Sequence, residues 1–311
     1  MSSQPDSYRP PSLWFVHLMM LVAAGLVSTS FTVGKAITMG MDPLVLTLIR
    51  FTMAALLFLP ITGRRNGGLH WPGKGPLIRY SVISLTLTGF FWLMFVSLQS
   101  TTALNTGVIY TLVPGLSSLY SAIILRERLG RYRIMAMVPA TAGAVWVLFH
   151  GDVNRLMAFD LNPGDLLFFA ACLLVAAYTP LVKLLHRGEP MTIMTFWILV
   201  TGCGWLLLFS GPRLLQVAWA DVSLKVWAGI IYLATFCTIA TFFLSQWATL
   251  YLGPTRVSAY SYLYPPCILV IDWFFTRKLP PIRTLPGILL IILAMFVVQQ
   301  GSGSSKGCLE N

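Results

Sequence analysis

Apolar residues fall along the chain in ten long runs separated by short polar gaps, covering approximately residues 14–33, 43–62, 77–98, 104–125, 132–149, 165–185, 192–210, 226–247, 256–275 and 284–299. Each approaches the roughly 20 residues that a helix needs to cross bilayer hydrocarbon. None alternates apolar and polar positions as a barrel strand does, and backbone in hydrocarbon must satisfy its hydrogen bonds within its own segment. The pattern predicts an all-α integral membrane protein with ten transmembrane helices. The first run follows Arg9-Pro10-Pro11 and has the position of a signal sequence, but its length and the membrane run directly after it predict a retained helix.

Composition agrees with this reading. Of 311 residues, 57% are apolar and 10% charged, too little charge to coat a water-soluble globule. Ten spans of about 20 residues leave roughly 11 for each terminus or connection, which excludes a soluble domain. The formal charge of +11 does not point to nucleic acid, because the basic residues are scattered through short gaps, where anionic lipid headgroups explain them. Five cysteines occur without a CxxC pair or a Cys/His cluster, so neither a metal site nor a disulfide framework is expected. The chain has no HExxH pair and no Walker-type GxxxxGK[ST] loop, so it is expected not to be an enzyme and to need no cofactor.

Lysine and arginine near the ends of short loops set orientation. With the N-terminus in the cytoplasm, thirteen basic residues lie inside and seven outside, leaving Arg50 within a span. Both termini are therefore expected in the cytoplasm, against the loop between runs nine and ten, which places Arg277, Lys278 and Arg283 outside.

The two halves of the chain echo each other. Run four reads Tyr110-Thr111-Leu112-Val113-Pro114-Gly115 and ends at Arg126-Glu127-Arg128-Leu129; run nine reads Ser261-Tyr262-Leu263-Tyr264-Pro265-Pro266 and ends at Arg277-Lys278-Leu279-Pro280. Pro114 and Pro265 are 151 positions apart, and Lys35 and Lys183 are 148 apart. Five helices per half, an odd number, put the second half upside down, the inverted-repeat layout of secondary transporters with a substrate site between the halves. The expected division is a cytoplasmic segment 1–12, a first five-helix repeat 13–150, a second repeat 151–300 and a flexible tail 301–311.

With Ser28-Thr29-Ser30-Phe31-Thr32-Val33-Gly34-Lys35, Leu48-Ile49-Arg50-Phe51, the stretch from Pro114 to Glu127-Arg128-Leu129, and Gly164-Asp165-Leu166-Leu167, the sequence resembles the drug/metabolite transporter superfamily, specifically its ten-helix EamA-type members. The resemblance covers roughly residues 14–299. It departs at Val27, where the family often has tryptophan, and at Arg277-Lys278, where an acid would match Glu127. It implies export or exchange of a small metabolite by alternating access and names no metabolite.

Arg50 is the sharpest chemical signal. It lies about 10 Å along the second run at 1.5 Å per residue, and a charge at mid-span costs about 2.5–3.5 kcal/mol on insertion scales. Its planar fork suits a substrate carboxylate or phosphate; the alternative is a structural pin bonded to neighbouring carbonyls. The second half offers only Trp197 or Ile198 at the matching place, so one cationic hook would suit a substrate with one anionic end. Tyr260 and Tyr264 follow Arg256 at helical spacing and lead to Pro265-Pro266, while Tyr110 leads to Pro114. These prolines free backbone carbonyls and mark helix bends, and the tyrosines, with Trp92, Tyr178 and Gln246, are candidates for a cavity wall; plain packing is the competing reading. Lys35 and Lys183 are candidate gating residues near opposite faces, with headgroup snorkelling as the alternative. Asp272 is the most deeply placed acid and a candidate coupling group, against a local ion pair with Arg277 or Lys278. Glu127 reads as part of a solvated charge network, and the resemblance adds a gating salt bridge as an alternative. Carboxylates are too few to assign proton coupling.

The leading expectation is a bacterial-type inner-membrane exporter of a small amino acid or amino-acid derivative, a monomer or homodimer in the lipid bilayer. The alternatives are a broad exporter of drugs or nucleobase-like solutes, and a membrane receptor or scaffold.

Overall fold

The computed structural model describes residues 11–65, 71–126, 131–158, 162–277 and 281–301. The helical segments are α1 (Leu13–Ile37), α2 (Pro43–Arg65), α3 (Lys74–Ser100), α4 (Ala103–Ile124), α5 (Arg131–Leu148), α6 (Pro163–Leu185), α7 (Met191–Leu214), α8 (Leu224–Leu252), α9 (254–276) and α10 (Leu285–Gly301). No strand occurs among the described residues. Eight helices there are long and apolar enough to cross a membrane; the others are α5, whose apolar part is Ile134–Leu148, and α9, which is broken into short pieces. Glu127, Lys278, segment 1–10 and tail residues 302–311 lie outside the described residues.

Local chemistry sets the helix ends. Ser12 accepts from Phe15 N, Thr102 from Asn105 N and Asn162 from Gly164 N, each satisfying a donor left over in a first helical turn. Pro43, Pro163 and Pro254 open α2, α6 and α9, where a missing N–H costs nothing. Gly253, at φ 77°, turns the chain sharply between α8 and α9.

Two helical segments are broken where proline removes a donor. In α4, Thr111 N and Leu112 N bond three residues back, to Val108 O and Ile109 O, ahead of Pro114. In α9 a 3-10 turn, Tyr260–Leu263, precedes Pro265 and Pro266. A third irregularity has no proline: α8 carries a π-helical turn, Thr235–Ala240.

Packing obeys an approximate two-fold relation that exchanges each helix with the one five along. The contacts of α3 with α6 and α7 match those of α8 with α1 and α2, and α4 on α6 matches α1 on α9. The pairs α2–α7, α4–α9 and α5–α10 map onto themselves. At the α5–α10 crossing two glycines face each other, and a methyl group on Gly287 would stand 2.8 Å from Gly143 O, the close backbone approach that small residues allow between membrane helices. The relation fails in two places. α2 packs on α3, but α7 makes no comparable packing on α8 among the described residues. α1 packs on α3 and α4, but α6 makes no comparable packing on α8 or α9 among the described residues.

Candidate functional site

A cavity of about 710 Å³ fills the place where α6 would meet α8 and α9. Short connections lay successive segments antiparallel, so the start of α1 and the end of α10 share one face, here termed proximal. Val27, Phe91, Tyr110, Val175, Cys237 and Tyr264 mark the cavity's deep end near mid-span. Its other lining residues lie toward the proximal face, among them Met20, Ser121, Lys183, Thr195, Ser258 and Val298.

The deep end is closed by rings. Phe31 packs 5.9 Å from Tyr110, 5.9 Å from Phe168 and 6.2 Å from Tyr264, and Tyr110 and Tyr264 are 5.4 Å apart. Beyond this aromatic floor polar ties join the halves. Thr32 donates to Asp272 Oδ1 at 3.2 Å, and Arg213 pairs with Asp42 at 2.9 Å. Asp165, 4% exposed, accepts from Thr101 Oγ1 and from Asn105 Nδ2 at 3.0 Å. Within the first half, Lys35 Nζ donates to Leu98 O at 2.7 Å and Gln99 O at 3.4 Å, carbonyls at the end of α3. Toward the proximal face, His17 bonds the Tyr260 hydroxyl and Arg79 pairs with Glu189. Partial burial pushes the Glu189 pKa up, but the Arg187 N–H, its own N–H and the Arg79 guanidinium outweigh this and hold it below the usual carboxylate value.

Tyr110, Tyr178, Tyr260, Tyr264, Pro114 and Lys183 all line the cavity. Trp92, Gln246, Pro265 and Pro266 do not belong to the lining; Trp92 packs against the cluster around Phe51 and Ile83, and the two prolines open the distal part of α9. Arg256 and Tyr260 do not lie on one straight helix with Tyr264, because the 3-10 turn intervenes. Arg50 lies just behind the wall, 2% exposed, with its Nε and Nη2 donating to Thr238 Oγ1 at 3.3 and 3.0 Å and its guanidinium 4.3 Å from the Phe91 ring. Its Nη1 is buried without a hydrogen-bond partner among the described residues.

Sequence reasoning passed over the hydroxyl groups of the wall, including Ser117, Ser118, Ser121 and Ser245. Their signal was polar residues recurring at helical spacing in otherwise apolar runs. Cys237 lines the cavity, and Asp165 is the centre of a buried network between halves.

The wall joins aromatic faces, many hydroxyls and one cation, and it contains no acidic residue among the described residues. Such a chamber can enclose a small solute. No cluster of three or more metal-ligating side chains occurs among the described residues.

Comparison with known proteins places this geometry. YyaM of Bacillus subtilis (strain 168), an uncharacterized transporter, is 22% identical over 279 residues, covering 89% of this chain and 91% of its own length. Protein PecM of Dickeya dadantii (strain 3937) is 25% identical over 266 residues, covering 85% of each. A solved crystal structure shares the fold with a TM-score of 0.61 at 20% identity, over 92% of this chain and 98% of that one. Residues 14–149 and 162–299, one stretch in each half, match the EamA-like transporter family, and the chain belongs to that family.

Proposed function

We propose that the protein is a secondary transporter that moves a small metabolite, an amino acid or a derivative of one, out of the cell by alternating access through this cavity. One observation carries the reading: the two-fold packing pattern is broken where α6 leaves α8 and α9, and the cavity lies there. A pair of equivalent halves in unequal conformations has an equally packed alternative, in which the halves exchange conformations. In that state α6 closes on α8 and α9, α1 parts from α3 and α4, and the cavity opens to the distal face. The excess of basic residues supports a cytoplasmic proximal face; the reading takes the membrane as the inner membrane and repeats 13–150 and 151–300 as the exchanging units.

Lys35 and Lys183 act as alternating latches. Ile37 and Leu185 end α1 and α6 at a spacing of 148, as Lys35 and Lys183 are spaced; Ala103 and Pro254 open α4 and α9 at a spacing of 151. The partners of Leu98 O and Gln99 O under the exchange are therefore Thr249 O and Leu250 O, at the end of α8. Lys35 holds the distal closure in this conformer, and Lys183 caps α8 when the proximal side closes. The tyrosines of α4, α6 and α9 enclose the solute, and the bends before Pro114 and Pro265 give α4 and α9 their points of flexure.

Counterflow in proteoliposomes tests the function. Vesicles preloaded with an unlabelled amino-acid pool should take up the labelled compound transiently. Saturable binding without such uptake would make the protein a receptor.

A further inference from the structure

Two departures from two-fold symmetry meet at one contact. Arg50 on α2 has Trp197 or Ile198 at its matching place, and the π-helical turn of α8 has no counterpart in the regular helix α3. Thr238 lies within that turn, its hydroxyl donating five residues back to Leu233 O at 2.9 Å while accepting both N–H groups of Arg50. π-turns are uncommon and cluster at functional sites.

The guanidinium is incompletely satisfied. Phe91 covers it, and a neutral hydroxyl takes one edge; the Nη1 edge has no partner among the described residues. Neither of the ion pairs found there involves Arg50. A buried cation with neutral neighbours and unused donors is tuned to accept an anion, and its planar fork fits the two oxygens of a carboxylate. The Thr238 hydroxyl and the Phe91 ring, which touch the guanidinium, both line the cavity. Among the described residues the charged member of the lining, Lys183, is also a cation, placed toward the proximal mouth where it draws anions inward.

We propose that Arg50 is the anion-binding group of the cavity, that the Thr238 hydroxyl holds it until the solute's carboxylate takes that place, and that the solute carries one such group on an apolar or aromatic body. This deepens the transport reading and rests on it for the word solute. Proton transfer is not required, because the carboxylate replaces one hydrogen-bond acceptor with another.

The test is equilibrium dialysis on the full chain in nanodiscs, with phenylacetate, indole-3-acetate and L-phenylalanine each measured against its amide. At least one acid is expected to bind about tenfold or more tightly than its amide. Arg50→Gln should erase that difference and Arg50→Lys keep part of it. Thr238→Val should tighten acid binding about tenfold, because the competing hydroxyl is gone. Equal binding of every acid and its amide, no binding of any acid, or an acid preference that survives Arg50→Gln overturns the proposal. If Arg50→Gln does not fold, Thr238→Val decides: unchanged or weaker acid binding overturns it. Acids that bind through Arg50 but never exchange across vesicles would defeat the transport reading instead, and amides exchanged as fast as acids would defeat only the anion site.

Discussion

Replacing Lys35 with methionine keeps the length and apolar stem of the side chain and removes only its charged tip. In this conformer that tip makes one short bond, 2.7 Å to Leu98 O, and one long exposed bond, 3.4 Å to Gln99 O. A hydrogen bond to a charged group contributes about 1.5–3 kcal/mol, and partial exposure puts this one toward the lower end. At 1.4 kcal/mol per factor of ten, losing it shifts the balance between distal-closed and distal-open forms by about tenfold. The shift is best read on the minor form. Met94 is 1% exposed, and its symmetry mate at a spacing of 151, Ser245, lines the cavity. With the native cysteines replaced, a cysteine at Met94 reacts with an impermeant thiol reagent only while the distal side is open. Lys35→Met should accelerate that reaction about tenfold, and Lys183→Met should slow it. An unchanged rate in Lys35→Met, or acceleration in Lys183→Met, refutes the latch assignment and the symmetry mapping behind it.

Three further outcomes are expected. Gly287→Ala places a methyl group 2.8 Å from both Gly143 O and Val147 Cγ2, and overpacking of this kind destabilises by about 1–3 kcal/mol; thermal unfolding in detergent should show a lowered midpoint, while Gly204→Ala, with nothing within 4 Å of the added carbon, should not. Glu189 has a depressed pKa in the fold, so its stabilisation is fully present above its unfolded value and is lost as pH falls through the folded one; the wild type should exceed Glu189→Gln in midpoint at pH 7, and the gap should close below about pH 4. Asp165→Ala leaves Thr101 and Asn105 without their buried acceptor, a loss of about 1–3 kcal/mol, and should both lower the midpoint and speed labelling of a cysteine at Met94.

How much of this was legible in the sequence depends on what each residue has to reveal. A bilayer makes span positions plain, since a run must be long and apolar to cross it, and eight of the runs fall on helices long and apolar enough to cross one among the described residues. Proline marks its own bends, so the irregularities at Pro114 and Pro265 were visible in advance. The turn at Thr235–Ala240 was not, because no residue type demands a π-turn. Helix rotation was hidden for a related reason. In water the apolar face of a helix points inward, but in a membrane both the lipid-facing and the buried faces are apolar. Leu56, Val138 and Leu208 are exposed, while Leu46 and Ile198 are buried, and composition cannot separate the two sets. Trp92 and Gln246 were candidates for the wall, but their neighbours Phe91 and Ser245 line it, each one residue and about 100° away around a helix.

Serine and threonine were ambiguous for another reason. Ser118 donates to Pro114 O and Thr241 to Cys237 O, back-bonds that any membrane helix can make, so a hydroxyl in a span says little until its neighbours are known. Arg50 escaped this ambiguity because no helix can satisfy five N–H donors and a charge from its own backbone. Its presence requires something from the fold. The described residues supply one hydroxyl and one ring, less than a buried guanidinium calls for, and under the anion-site proposal the solute's carboxylate supplies the rest.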